Sequence, residues 1–122
     1  LTGLSALVRV DGGLSISNND AMSSLEGLES LSYIGSSLTL ARNSVLEDLD
    51  ALNGIRSVGR DLTIEYNDIL EDVSGLHDVT SVGRDLTIEN NVSLEESDAE
   101  ALRDAIGTAN IGGSISIKAN KP

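Results

Sequence analysis

The chain has 122 residues, enough for one domain and too few for two ordinary ones. Hydrophobic residues make up 39%, yet only Tyr33 and Tyr66 are aromatic and there is no Phe, Trp or Cys, so the core must be Leu, Ile and Val, and disulfides, zinc–thiolate sites and thiol catalysis are excluded. Eight Lys and Arg against 20 Asp and Glu give a net charge of −12, which rules against nucleic acid as a partner and against an anionic membrane surface. No apolar run approaches the ~20 residues of a membrane helix.

The chain repeats itself. The nonamer Ser-Val-Gly-Arg-Asp-Leu-Thr-Ile-Glu stands at 57–65 and again at 81–89, an offset of 24. From the N-terminus, that offset aligns Leu4, Leu28, Leu52 and Leu76, then Leu7, Leu31, Ile55 and Val79, then Val10, Ile34, Val58 and Val82. It also aligns the triplets Leu14-Ser15-Ile16, Leu38-Thr39-Leu40, Leu62-Thr63-Ile64 and Leu86-Thr87-Ile88. Asn19, Asn43, Asn67 and Asn91 follow, then Met22, Leu46, Leu70 and Leu94. A fifth copy is stretched: Ile111 to Ile117 matches Val82 to Ile88, and Asn120 matches Asn91, at an offset of 29.

Each unit holds one period-two stretch, which predicts a short strand, and its other apolar positions fall every third residue, as in 3₁₀-like turns. Gly35, Gly59, Gly83 and Gly112 precede the strands at a corner where positive φ is expected. The Asn column follows the strand, where Asn tolerates the left-handed conformation and bonds to its own backbone or to the Asn one coil away; Asn19, Asn43, Asn67, Asn91 and Asn120 are therefore read as a structural ladder. In the stretched copy, Ser97 with Glu100 reads as a capping box, Ala99, Leu102 and Ile106 as one helix face, and Gly107 as a stop, predicting a helix over about 98–106. The expected fold is all-β, a right-handed parallel β-solenoid of five coils with a 24-residue repeat. Its single domain covers 1–122, in coils of about 4–27, 28–51, 52–75, 76–99 and 100–122.

The unit Leu28-x-x-Leu31-x-x-Ile34-Gly35-x-x-Leu38-x-Leu40-x-x-Asn43 resembles that of the receptor L-domain family, short β-helices related to leucine-rich repeats, and especially its bacterial cell-surface relatives. The resemblance covers about 4–120. It implies an extracellular or cell-surface module that binds a ligand. The family's animal receptor members are framed by cysteines, which this chain lacks.

Alternation turns three columns outward on the strands: Ser15, Thr39, Thr63, Thr87 and Ser116 in the middle, flanked by Gly13, Ser37, Asp61, Asp85 and Ser114 on one side and Ser17, Ala41, Glu65, Glu89 and Lys118 on the other. Thr39, Thr63, Thr87, Asp61, Asp85, Glu65 and Glu89 form the candidate binding face. Asp61, Asp85, Glu65 and Glu89 are also the nearest approach to a calcium site. Outward residues on one strand lie about 7 Å apart, so one ion cannot take all four carboxylates at ~2.4 Å, and no metal is expected. Glu47-Asp48, Glu71-Asp72 and Glu95-Glu96 make a second acidic strip after the Asn column. His77 is the only histidine and falls at a variable, exposed position, and no G-x-S-x-G, P-loop or H-E-x-x-H occurs. No enzyme, catalytic residue or cofactor is expected.

At the C-terminal end Lys118, Lys121 and Pro122 read as edge-blocking residues. At the other end Leu4, Leu7, Val10, Leu14 and Ile16 make an uncapped layer, a candidate stacking end, and the chain opens on Leu1 in mid-pattern without Met or signal peptide. That suggests either a segment of a longer surface protein or a subunit that stacks on another copy. The expected function is non-enzymatic recognition or adhesion through the flat strand face, with a protein or surface ligand as partner and no membrane insertion in this segment. The alternative is a self-assembling subunit of an extracellular filament, stacking head to tail on copies of itself.

Overall fold

The computed structural model describes residues 2–122, so Leu1 lies outside the described residues. Short strands come in pairs along the chain: β1 (Arg9–Val10) and β2 (Leu14–Ser17), β3 (Tyr33–Ile34) and β4 (Leu38–Ala41), β5 (Ser57–Val58) and β6 (Leu62–Glu65), β7 (Ser81–Val82) and β8 (Leu86–Glu89). The helix α1 (Glu96–Ile106) and β9 (Ile115–Lys118) complete the chain. Every ladder is parallel. One sheet runs β1-β3-β5-β7 and the other β2-β4-β6-β8-β9. The fold is a β-solenoid, mostly β, with one short helix.

Register follows from burial. Leu14 pairs with Leu38, Leu38 with Leu62, Leu62 with Leu86 and Leu86 with Ile115, while Ile16, Leu40, Ile64, Ile88 and Ile117 align beside them. A slip of one residue would turn these side chains to water. Leu38, Leu40, Leu62, Ile64, Leu86 and Ile88 are completely buried. The every-third apolar positions close the windings through 3₁₀ turns such as Asp50–Leu52 and Ser74–Leu76, where Leu52 and Leu76 point into the core.

The glycines before the long strands are required for a reason other than the one expected. None of Gly35, Gly59, Gly83 and Gly112 has positive φ; among the described glycines only Gly27 and Gly107 do. A Cβ at any of the four would instead fall closer than 3.0 Å to the backbone carbonyl oxygen of Asp11, Gly35, Gly59 or Gly83 respectively. Stacked windings touch there, backbone on backbone. The left-handed residues are Asn18, Arg42, Tyr66, Asn90 and Ala119, each one position before an Asn of the ladder. The ladder asparagines are thus not the left-handed residues, and their side chains are free to bond between windings.

The helix also departs from expectation. It starts at Glu96, two residues before 98, so Ser97 and Glu100 form no capping box, and the residue at its N-cap, Glu95, makes no side-chain cap bond. Backbone pairing fixes this start: Glu96 N–H donates to Lys121 O, at 2.8 Å, and Glu95 bridges Lys121 in parallel. Gly107, at φ 90°, ends the helix as expected, and Ala99, Leu102 and Ile106 are its buried face.

Candidate functional site

The five-stranded sheet presents its outer surface as columns. Ser15 pairs with Thr39, Thr39 with Thr63, Thr63 with Thr87, and Thr87 with Ser116, giving one straight row of half-exposed hydroxyls with Ser15 more open. On one flank the small acceptors bind the backbone of the next winding. Ser37 Oγ accepts from Asp61 N–H (3.3 Å), Asp61 Oδ1 from Asp85 N–H (3.0 Å), and Asp85 Oδ1 from Ser114 N–H (2.8 Å). Asp61 and Asp85 are therefore engaged in holding the stack together. The signal in the sequence was the column's restriction to Gly, Ser and Asp, since Ser and Asp are the side chains that habitually satisfy nearby backbone N–H groups.

On the other flank Glu65 pairs in register with Glu89, and Glu89 with Lys118. Glu89 also bonds the Ser116 hydroxyl. Ala41, expected to face outward here, is buried, because its single methyl stands in register between the longer side chains of Ser17 and Glu65. Among the described residues no group of three or more His, Asp and Glu side chains could hold a metal ion, so Asp61, Asp85, Glu65 and Glu89 do not converge on one point.

The Asn ladder runs in one direction. Asn19 Nδ2 donates to Asn43 Oδ1, Asn43 Nδ2 to Asn67 Oδ1, Asn67 Nδ2 to Asn91 Oδ1 and Asn91 Nδ2 to Asn120 Oδ1, at 3.0–3.2 Å. The backbone N–H of each donates to the same oxygen, and the second amide hydrogen of Asn43, Asn67, Asn91 and Asn120 goes to a strand carbonyl such as Ile16 O or Leu40 O. At the far end Glu96 Oε1 accepts from both Asn120 N–H (3.0 Å) and Asn120 Nδ2 (2.8 Å). A carboxylate with no donor of its own ends the ladder. No motif announced this closure, because Glu96 belongs to the helix and its partner lies 24 residues further on.

At the opposite end nothing in the described residues takes that part. Leu4 is 41% exposed and Leu7, Val10, Leu14 and Ile16 are half-buried, whereas Leu31, Ile34, Leu38 and Leu40, one winding on, are fully buried. Asn19 Oδ1 accepts no hydrogen bond among the described residues. The remaining surface is the acidic strip, where shallow hollows are lined by Glu47, Asp48, Ile69, Glu71 and Asp72, and by Glu71, Asp72, His77 and Asp98. Asp48 Oδ1 accepts from Asp50 N–H (3.0 Å) and Asp72 Oδ1 from Ser74 N–H (2.7 Å), so each acid holds the first backbone N–H of a 3₁₀ turn. Hydrogen bonds from the Ser74 side chain and backbone hold the Asp72 carboxyl below its ordinary value. Desolvation first, then the charges of Asp48 and Asp72, push Asp50 up. His77 is exposed, as expected.

These features define a parallel β-solenoid with a hydroxyl-and-carboxylate strand face and an Asn ladder that ends on Glu96. No protein-family model, curated protein or solved structure matches the chain.

Proposed function

We propose that this chain is a non-enzymatic recognition or adhesion module at the cell surface or outside the cell, binding a protein or surface ligand with the flat face of its long-strand sheet. The reading takes the molecule as a right-handed solenoid of five coils built on one 24-residue unit, whose last coil is lengthened by the helix. The observation that carries it is the face itself. In-register strands repeat Thr39, Thr63 and Thr87 in a straight row flanked by Glu65 and Glu89, a pattern suited to an extended partner with spaced hydrogen-bond donors. The sequence resemblance to receptor L-domains and leucine-rich-repeat surface proteins supports the same placement and use.

The test is binding of the labelled chain to an array of extracellular-matrix proteins and cell-surface glycans. Thr63→Arg with Thr87→Arg should lower binding to any hit at least tenfold, while Arg56→Ala, on the other sheet's side, should leave it unchanged. Binding that ignores the strand-face pair, or no hit at all, would refute the reading.

A second reading is a self-assembling filament subunit that stacks head to tail on other copies of itself. The half-exposed apolar layer of Leu4, Leu7, Val10, Leu14 and Ile16 favours it.

A further inference from the structure

We infer that Asn53-Gly54 is a self-modification site, where the folded chain converts its own asparagine to aspartate and isoaspartate and thereby loosens the stacking of its windings. The pair lies on the turn that follows Asp50–Leu52, and the inference rests on neither functional reading above.

The step is attack by the Gly54 backbone nitrogen on the side-chain carbonyl carbon, Cγ, of Asn53. The new bond joins that nitrogen to Cγ, the Cγ–Nδ2 bond breaks, and ammonia leaves with the proton lost from Gly54. Solvent water then opens the resulting succinimide ring at either carbonyl. Opening at Cγ gives aspartate. Opening at the backbone carbonyl leaves the main chain running through Cγ, which is isoaspartate. Water is the only co-reactant.

Sequence and exposure single out this pair. Of the nine asparagines only Asn53 precedes a glycine, so only there does the attacking nitrogen carry no neighbouring side chain to shield it. Asn53 is exposed, and its side-chain amide makes no hydrogen bond among the described residues. Asn43, Asn67 and Asn91 are the opposite case. They are fully buried, and each amide is held in the ladder on both its oxygen and its nitrogen.

The backbone geometry leaves the reaction one small obstacle. Asn53 has φ −65° and ψ −11°, so the peptide between it and Gly54 must rotate to bring the nitrogen onto Cγ. The flanking bonds, Asn53 N–H to Asp50 O (3.2 Å) and Ile55 N–H to Leu52 O (3.1 Å), belong to the neighbouring peptides. Gly54 N–H donates to no acceptor among the described residues, and Asn53 O accepts from the Arg56 guanidinium, at 2.9 Å. Rotation therefore breaks one hydrogen bond, to an exposed side chain. Arg56 is the latch on the reaction.

The packing of Gly54 sets the consequence. A Cβ there would fall 2.8 Å from Leu31 O and 3.0 Å from Glu29 O, so the main chain lies directly against the preceding winding. Isoaspartate inserts an extra main-chain carbon beside that contact, whereas aspartate leaves the backbone as it was.

The test holds the full chain folded at neutral pH over weeks. Peptide mass spectrometry follows conversion at each asparagine, and enzymatic methylation counts isoaspartate. Conversion at Asn53 is expected, and none at Asn43, Asn67 or Asn91. Arg56→Ala should speed it by about two- to tenfold, the factor for losing one hydrogen bond. Asn53→Gln, whose longer side chain disfavours the ring, should abolish it. The separated isoaspartate form should melt below the parent, while Asn53→Asp should melt with it. An unconverted Asn53 in the folded chain, when the urea-unfolded chain converts, would overturn the inference. So would ladder asparagines that convert as fast, or a rate indifferent to Arg56→Ala. An isoaspartate form that melts with the parent would overturn the loosening of the stack.

Discussion

Gly59 shows how tightly this molecule is specified by single atoms. Its missing Cβ is the space taken by Gly35 O, so Gly59→Ala forces two windings apart. The expected cost is at or above the upper end of the ~1–3 kcal/mol seen for overpacking, read from urea unfolding, while Gly12→Ala, with open space around it, should be neutral. Asn67 is specified as strictly. Asn67→Ala leaves the Asn43 backbone N–H and one Asn43 amide hydrogen without an acceptor in a buried site, at about 1–3 kcal/mol for each group. Asn19→Ala, exposed at the N-terminal end, should cost about 1 kcal/mol or less. Both positions stand out in the sequence as columns, but for glycine the physical reason does not: a carbonyl 24 residues away excludes the side chain, and no local signal distinguishes that from positive φ. Asp72 supplies a pH test. Its folded pKa is depressed, so its contribution is present above the unfolded carboxylate value of about 3.9 and is lost as pH falls through the lower folded value. Melting curves of wild type and Asp72→Ala should therefore converge as pH drops through that range and separate above it.

At the scale of elements, alternation made the long strands legible, because Leu14-Ser15-Ile16 and its copies can bury only one face. The short strands β1, β3, β5 and β7 are two residues each, too short to show a period, and rest on pairing such as Ile34 with Val58. The helix was legible from the buried spacing of Ala99, Leu102 and Ile106, but its start was not. Ser97 and Glu100 have the local form of a capping box, yet the pairing of Glu95 and Glu96 with Lys121 draws the helix back into the solenoid wall. Tertiary pairing overrode a local motif. Glu96→Ala should accordingly speed hydrogen exchange at the Asn120 amide and lower stability by about 1.5–3 kcal/mol, the range for bonds to a charged group. Glu96→Gln, which keeps an acceptor, should lose less.

For the molecule as a whole, the two ends differ in how much apolar surface they cover. Order should decline toward the N-terminal end of this 122-residue chain, where Leu7, Val10, Leu14 and Ile16 are only partly buried against the core among the described residues. Native-state hydrogen exchange on the monomer should show the amides donated by Leu14 and Asn18 opening at lower free energy than those of Leu62 and Leu86, by at least about 2 kcal/mol. Uniform protection along the stack would contradict this. The candidate binding face was legible as columns of residue types, since strand alternation fixes which side chains share a surface. That Asp61 and Asp85 serve the stack was legible only as their column's restriction to Gly, Ser and Asp, because their partners are backbone groups of the next winding.

The one-way ladder also has an electrical consequence. Each Asn amide points its carbonyl toward the N-terminal end and its NH₂ toward Glu96, so five side-chain dipoles add along a single line. Their positive end arrives at Glu96. That carboxylate also lies in the first turn of α1, where the helix macrodipole is positive. One negative charge thus faces the positive ends of two aligned dipole arrays, and the solenoid is a polar object along its axis.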